Sequence, residues 1–183
     1  IIDIKFSTDN RLLYSGDSNG GFFIHAVKTG KLIKRFTDYE EEDNVHRDQT
    51  GNIKISPKNK RFAVLRWFWI LRSQVTVIDI YRMDTLKIEY TIFGDFEKDV
   101  KSYNDINWDW VCHIKEIYFS NDGNYLTFST DKKELHIYSV KKKKIIQTIK
   151  IKMLNNRHPI ICISPDNKKV AFTQEKNIEI HDI

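Results

Sequence analysis

The chain has 183 residues, a net charge of +5, and is 40% hydrophobic and 13% aromatic. That supports a folded core and excludes a disordered polar chain. Apolar runs such as IIDI and VTVIDI are short and broken by charges, so none reaches the ~20 apolar residues of a membrane-spanning helix and no membrane insertion is expected.

In chain order the elements read as short strands with period-two patterning and β-branched enrichment. IDIKF and RLLYSG flank an STDN turn in residues 2–16, followed by GFFIHAV (21–27) and KLIKRF (31–36). The same order recurs in GNIKISPKNKRFAVL (51–65), VTVIDI (75–80) and LKIEYTI (86–92). It recurs again in KEIYFSNDGNYLTFS (115–129), ELHIYSV (134–140) and KIIQTIKI (144–151). IICISPDNKKVAFTQ (160–174) and NIEIHDI (177–183) end the chain. Ser7, Ser56, Ser120 and Ser164 anchor the alignment, each with apolar residues one and three positions before it and six after. The intervening Asp/Asn/Gly/Pro/Lys segments predict tight hairpins, because such residues tolerate turn dihedrals or bond their own backbone. The glycines of SGDSNGG (15–21) are expected to supply positive φ in a hairpin turn.

The first unit, FSTDNRLLYSGDSNGGFFIHAVKTGKLIKRF, and the third, FSNDGNYLTFSTDKKELHIYS, resemble the WD-repeat family of β-propellers. The Trp-Asp positions that end strand three align with His25-Ala26, Ile78-Asp79, Tyr138-Ser139 and His181-Asp182, so the tryptophan is never kept and the aspartate twice. The resemblance implies an all-β chain, a β-propeller of four-stranded antiparallel blades, three complete with a partial fourth. The blades fall at about 1–36, 50–92, 114–151 and 159–183 of one domain, 1–183, with inserted loops 37–49 and 93–113. Such a chain is expected to form part of a larger ring and of a longer protein.

Strand parity puts the insertions on one face of the predicted disc. RWFWILR (66–72), with an arginine at each end, extends one hairpin of blade two. All four tryptophans fall in it or in the 93–113 loop. Trp67, Phe68, Trp69, Trp108 and Trp110, with the acidic Glu40, Glu41 and Glu42 nearby, form the candidate partner-binding face. The opposite reading packs these tryptophans on one another as a satellite core. Lys141, Lys142, Lys143 and Lys144, with other turn lysines and arginines, form a basic lower rim that could meet RNA phosphates; a solvated hairpin turn is the plainer and favoured reading.

Catalytic and metal motifs find no support. The six histidines show no HExxH or HxxxH spacing, and no P-loop, GxSxG or GxGxxG occurs. No cofactor, metal or catalytic residue is expected. Two cysteines, Cys112 and Cys162, without a CxxC, fit a reducing compartment; with the family resemblance this implies an intracellular, cytoplasmic setting, with nuclear or cytoskeletal and ciliary ones as alternatives. The resemblance implies a non-enzymatic scaffold that contacts other proteins or peptides in a multi-subunit assembly; the alternative is a subunit of a ribonucleoprotein complex with the basic rim on RNA.

Overall fold

The computed structural model describes residues 3–17, 21–36, 45–57, 61–70, 73–93, 113–152 and 159–183. Among them every regular element is a strand. Sheet 1 comprises β1 (Asp3–Phe6), β2 (Leu12–Gly16), β3 (Phe22–Ala26) and β4 (Leu32–Phe36). Sheet 2 comprises β5 (Val45–Ile55), β6 (Arg61–Ile70), β7 (Ser73–Arg82) and β8 (Ile88–Phe93). Sheet 3 comprises β9 (Ile114–Phe119), β10 (Tyr125–Thr130), β11 (Glu134–Ser139) and β12 (Lys144–Lys150). Sheet 4 comprises β13 (Ile161–Ile163), β14 (Lys169–Gln174) and β15 (Asn177–Asp182). Within each sheet every strand is antiparallel to its chain neighbour. The chain is therefore all-β, with three four-stranded antiparallel sheets and one three-stranded sheet among the described residues. β5 begins at Val45, inside the segment 37–49 expected to be a loop.

The anchoring serines of sheets 1, 3 and 4 close the first hairpin by one local device; sheet 2 has Lys58, not an aspartate, two residues after Ser56. Ser7, Ser120 and Ser164 each donate a hydroxyl to the aspartate two residues on, Asp9, Asp122 and Asp166, at 2.6 Å. Each hydroxyl also accepts a backbone N–H from the start of the next strand: Leu12 at 2.9 Å, Tyr125 at 3.0 Å and Lys169 at 2.9 Å. The residue that reverses the chain has positive φ, Asn10 at 58°, Gly123 at 72° and Asn167 at 60°, which Asn and Gly tolerate best. Gly16 and Gly21 do not play that part. Gly16 ends β2, and a Cβ at Gly21 would meet Asp17 Oδ2 at 2.5 Å and the Phe23 ring at 2.7 Å. Close approach, rather than the expected positive φ, selects glycine at 21.

Each sheet has two faces. The front carries the residues one and three before the anchoring serine, and the back carries the opposite set. The chain divides into two compact units, Ile1–Ile55 with Arg61–His113, and Ser56–Lys60 with Ile114–Ile183. In the first, the back of sheet 1 (Tyr14, Phe22, Ile24) packs on the front of sheet 2 (Ile53, Phe62, Val64, Tyr81). Phe62 stacks on Tyr81 with centroids 4.8 Å apart and meets Tyr14 at 4.9 Å. Asp3 Oδ2 accepts the Ile53 N–H at 2.9 Å, tying the two sheets together. In the second unit, the back of sheet 3 (Leu135, Ile137, Ile149) packs on the front of sheet 4 (Ile161, Val170, Phe172). Each fully buried large side chain contributes ~1.5–3 kcal/mol, so both layers stabilise their units; Leu65, Ile78 and Ile80 of sheet 2 and Ile117, Leu126 and Phe128 of sheet 3, outside these layers, are fully buried as well.

Cross-strand register corrects one part of the repeat alignment. Leu13 pairs with His25, Leu126 with Tyr138 and Val170 with His181. The equivalent residue of sheet 2, Phe62, pairs with Tyr81 and not with Ile78. Tyr81-Arg82 therefore stands where Ile78-Asp79 was aligned. The long β6–β7 hairpin moves the equivalent position further along the chain. A planar ring, His25, Tyr81, Tyr138 or His181, occupies that register in all four sheets, and the aspartate is kept once, at Asp182.

Candidate partner-binding surface

The segment RWFWI continues β6 as strand rather than forming a separate loop. Ten residues of β6, Arg61 to Ile70, pair with Arg82 to Ser73 of β7, whereas β2 and β3 share the shorter ladder Leu12–Gly16 on Phe22–Ala26. Register shifts in β5 opposite this extension, between His46 and Gln49 and between Thr50 and Ile53, let it follow the longer hairpin. Trp67 pairs with Gln49 and Thr76 and its side chain is half-buried. Phe68 and Trp69 lie on the same strand by backbone, and their side chains are outside the described residues. Trp108, Trp110, Glu40, Glu41 and Glu42 also lie outside the described residues. Trp67 is thus the member of the predicted surface whose side chain has a defined setting.

Arg66, at the start of that segment, is turned inward. Its Nε lies 2.5 Å from Asp79 Oδ2, and the two side chains are 10% and 0% exposed. Thr91 Oγ1 donates to the other carboxylate oxygen of Asp79 at 2.6 Å. A buried charge needs a partner charge and further hydrogen bonds to persist, and Asp79 has both. This arginine is not available as an interface anchor. The sequence signal that could have found the pair is the lone Asp within an otherwise apolar VTVIDI strand.

The turn cations expected to form a basic rim are partly neutralised where they stand. The turn between β11 and β12 carries Lys141, Lys142 and Lys143, Lys144 opens β12, and all four are exposed. Lys28, Lys31, Lys87 and Lys168 are exposed too, while four other cations meet carboxylates. Arg11 lies 2.7 Å from Asp9, Arg82 2.6 Å from Asp84, Arg61 2.6 Å from Glu89, and Lys169 2.6 Å from Asp182. The guanidinium of Arg82 holds the Asp84 carboxyl down to about 2. The Ser7 hydroxyl and the Arg11 backbone and side chain hold Asp9 well below the usual carboxylate range.

Among the described residues no group of three or more His, Cys, Asp or Glu side chains is placed to hold a metal ion. His136 is the most enclosed of the described histidines. Its Nδ1 is 2.9 Å from Thr148 Oγ1, its Nε2 is 3.3 Å from Glu134, and its ring lies 5.2 Å from that of Phe128. Burial lowers its pKa to about 4, against the opposing pull of Glu134. Neutral and locked between two partners, it serves as a core residue of sheet 3. His181 approaches Glu179 at 3.2 Å, and Cys162 is a free, exposed thiol.

No protein-family model matches this chain. No curated protein matches it either.

Proposed function

We propose that these sheets are blades of a WD-repeat-type β-propeller, and that the chain is a non-enzymatic scaffold docking proteins or peptides within a larger assembly. The observation that carries the reading is the shared register: four successive sheets place a planar ring opposite the residue six after the anchoring serine. Back-to-front packing of consecutive sheets in each unit supports it further, since stacking is how short sheets with two apolar faces bury both. The proposed contact surface is the end of the β6–β7 hairpin, with Trp67, Phe68 and Trp69, together with Trp108, Trp110 and the acidic Glu40 to Glu42. A half-buried tryptophan on a rigid strand suits an anchor, because aromatic side chains add contact area with little ordering cost.

The test compares proteins co-purifying with the wild-type chain and with Trp67→Ala and Trp108→Ala variants. Loss of a stoichiometric partner is expected, with ~2 kcal/mol or more of affinity lost in a reconstituted complex. Unchanged far-UV circular dichroism would show that the fold survives. Full retention of the same partners by both variants would sink the reading. The ribonucleoprotein alternative draws on the exposed Lys141 to Lys144 turn and on the exposed Lys28, Lys31, Lys87 and Lys168, whereas Arg11, Arg61, Arg82 and Lys169 are engaged by carboxylates.

A further inference from the structure

The outer strand of every four-stranded sheet departs from the regular ladder at one place. His25, Tyr81 and Tyr138 pair with Leu32, Ile88 and Ile145, and an extra residue follows each partner: Ile33, Glu89 and Ile146. An exposed lysine precedes each site, Lys31, Lys87 and Lys144. Leu32, Ile33, Ile88 and Ile146 are 51%, 49%, 45% and 38% exposed. Ile88 shares the front face of sheet 2 with Tyr81, and sheet 1 packs on that face. Its exposure therefore belongs to its place at the start of the outer strand, not to a missing neighbouring sheet.

In the first unit two of these sites adjoin. Lys34 Nζ donates to the Leu86 carbonyl at 3.1 Å, which brings β4 beside the turn that leads into β8. Leu32, Ile33 and Ile88 are thereby grouped with Lys31 and Lys87, and Lys28 lies in the turn before β4. The nearby acids are already engaged. Both oxygens of Glu89 accept from Arg61, at 2.6 and 3.1 Å, and both oxygens of Asp84 accept from Arg82, at 3.0 and 2.6 Å. Among the described residues no carboxylate pairs with Lys28, Lys31 or Lys87.

We propose that this basic, aliphatic rim of sheets 1 and 2 rests on an anionic lipid surface. The lysines meet the headgroup phosphates and carboxylates, and Leu32, Ile33 and Ile88 reach the acyl boundary. The composition separates this partner from the others. Protein interfaces are depleted in Lys and take their anchors mainly from Trp, Tyr and Arg, whereas the apolar members here are aliphatic and the unengaged cations are lysines. A nucleic-acid backbone satisfies lysines but offers aliphatic side chains no partner. A bilayer interface takes both. The contact is peripheral and reversible, and it needs no spanning segment. It goes beyond the scaffold reading and does not rest on it, since it uses none of the residues of the Trp67 hairpin.

Sedimentation of the chain with lipid vesicles tests the proposal. Binding is expected to phosphatidylcholine vesicles that contain phosphatidylserine and not to phosphatidylcholine alone, and it should weaken as salt rises. Lys31→Gln and Lys87→Gln should each weaken it about fivefold. Ile88→Ser should weaken it at unchanged charge. All three side chains are exposed, so circular dichroism should stay the same. Lys132→Gln, an exposed lysine between β10 and β11, should have little effect. Absence of binding to the serine-lipid vesicles would overturn the proposal, as would binding that Lys31→Gln and Ile88→Ser leave unchanged. An equal loss from Lys132→Gln would show a response to net charge only and would overturn it too. Tighter binding to polyglutamate or to duplex RNA, with the same dependence on Lys31 and Lys87, would assign the rim to that polyanion instead.

Discussion

Arg66 and Asp79 show how a residue's meaning depends on what stands across the strand. Removing one partner of a buried ion pair leaves the other charge without compensation, so Arg66→Ala or Asp79→Ala should cost ~3–5 kcal/mol. The paired replacement Arg66→Met with Asp79→Leu should recover much of that loss, which denaturant midpoints of the three variants would show. His136 makes a second residue-level prediction. Its folded pKa, about 4, lies below the unfolded value of 6.5, so the unfolded chain takes up the proton first. Its stabilising effect is complete above pH 6.5 and is lost as pH falls toward 4, by on the order of 3 kcal/mol in total. Unfolding at pH 7 and pH 4.5 measures this, and His136→Asn should flatten the slope. A Ser-x-Asp turn is legible at this scale because all its bonding partners lie within five residues. The Arg66–Asp79 pair is not, because its partners come from two strands.

Hairpins are the elements, and their local chemistry separates them from one another. The first hairpin of each sheet follows from its serine, its turn residues and the period-two strands beside them. The extent of sheet 2 does not. β5 to β7 run well past the repeat length because cross-strand pairing continues through RWFWI, and a register that slips by residues can be read only from the partner strand. Tyr81 takes the ring position as a result. Packing between elements gives a sharp contrast. Phe62 is fully buried against Tyr81, Tyr14 and Phe22, so Phe62→Ala should destabilise by ~3–5 kcal/mol. Ile88 is 45% exposed on β8, so Ile88→Ala should stay within about 1 kcal/mol. Urea unfolding of both variants tests the assignment of the core to the layer between sheets 1 and 2.

At the scale of the whole molecule, charge distribution separates the two functional readings. If the lower rim bound single-stranded RNA through Lys141 to Lys144, log affinity would fall against log salt with a slope near −3, lost on replacing all four with Glu. The scaffold reading expects a shallow slope that those substitutions leave unchanged, and titration at several salt concentrations decides between them. Sequence alone determined the strand pattern, the serine-anchored turns and the alternation that puts apolar residues on both faces of every sheet, because each depends on neighbours a few positions apart. It also placed Trp67 on an extended hairpin. Only the tertiary structure decided which faces are covered. Ile24, Ile137 and Ile180 occupy one repeat position with one side chain, yet the first two are buried and the third is exposed. Burial is a property of the sheet that lies opposite, and no residue's own sequence neighbourhood encodes that.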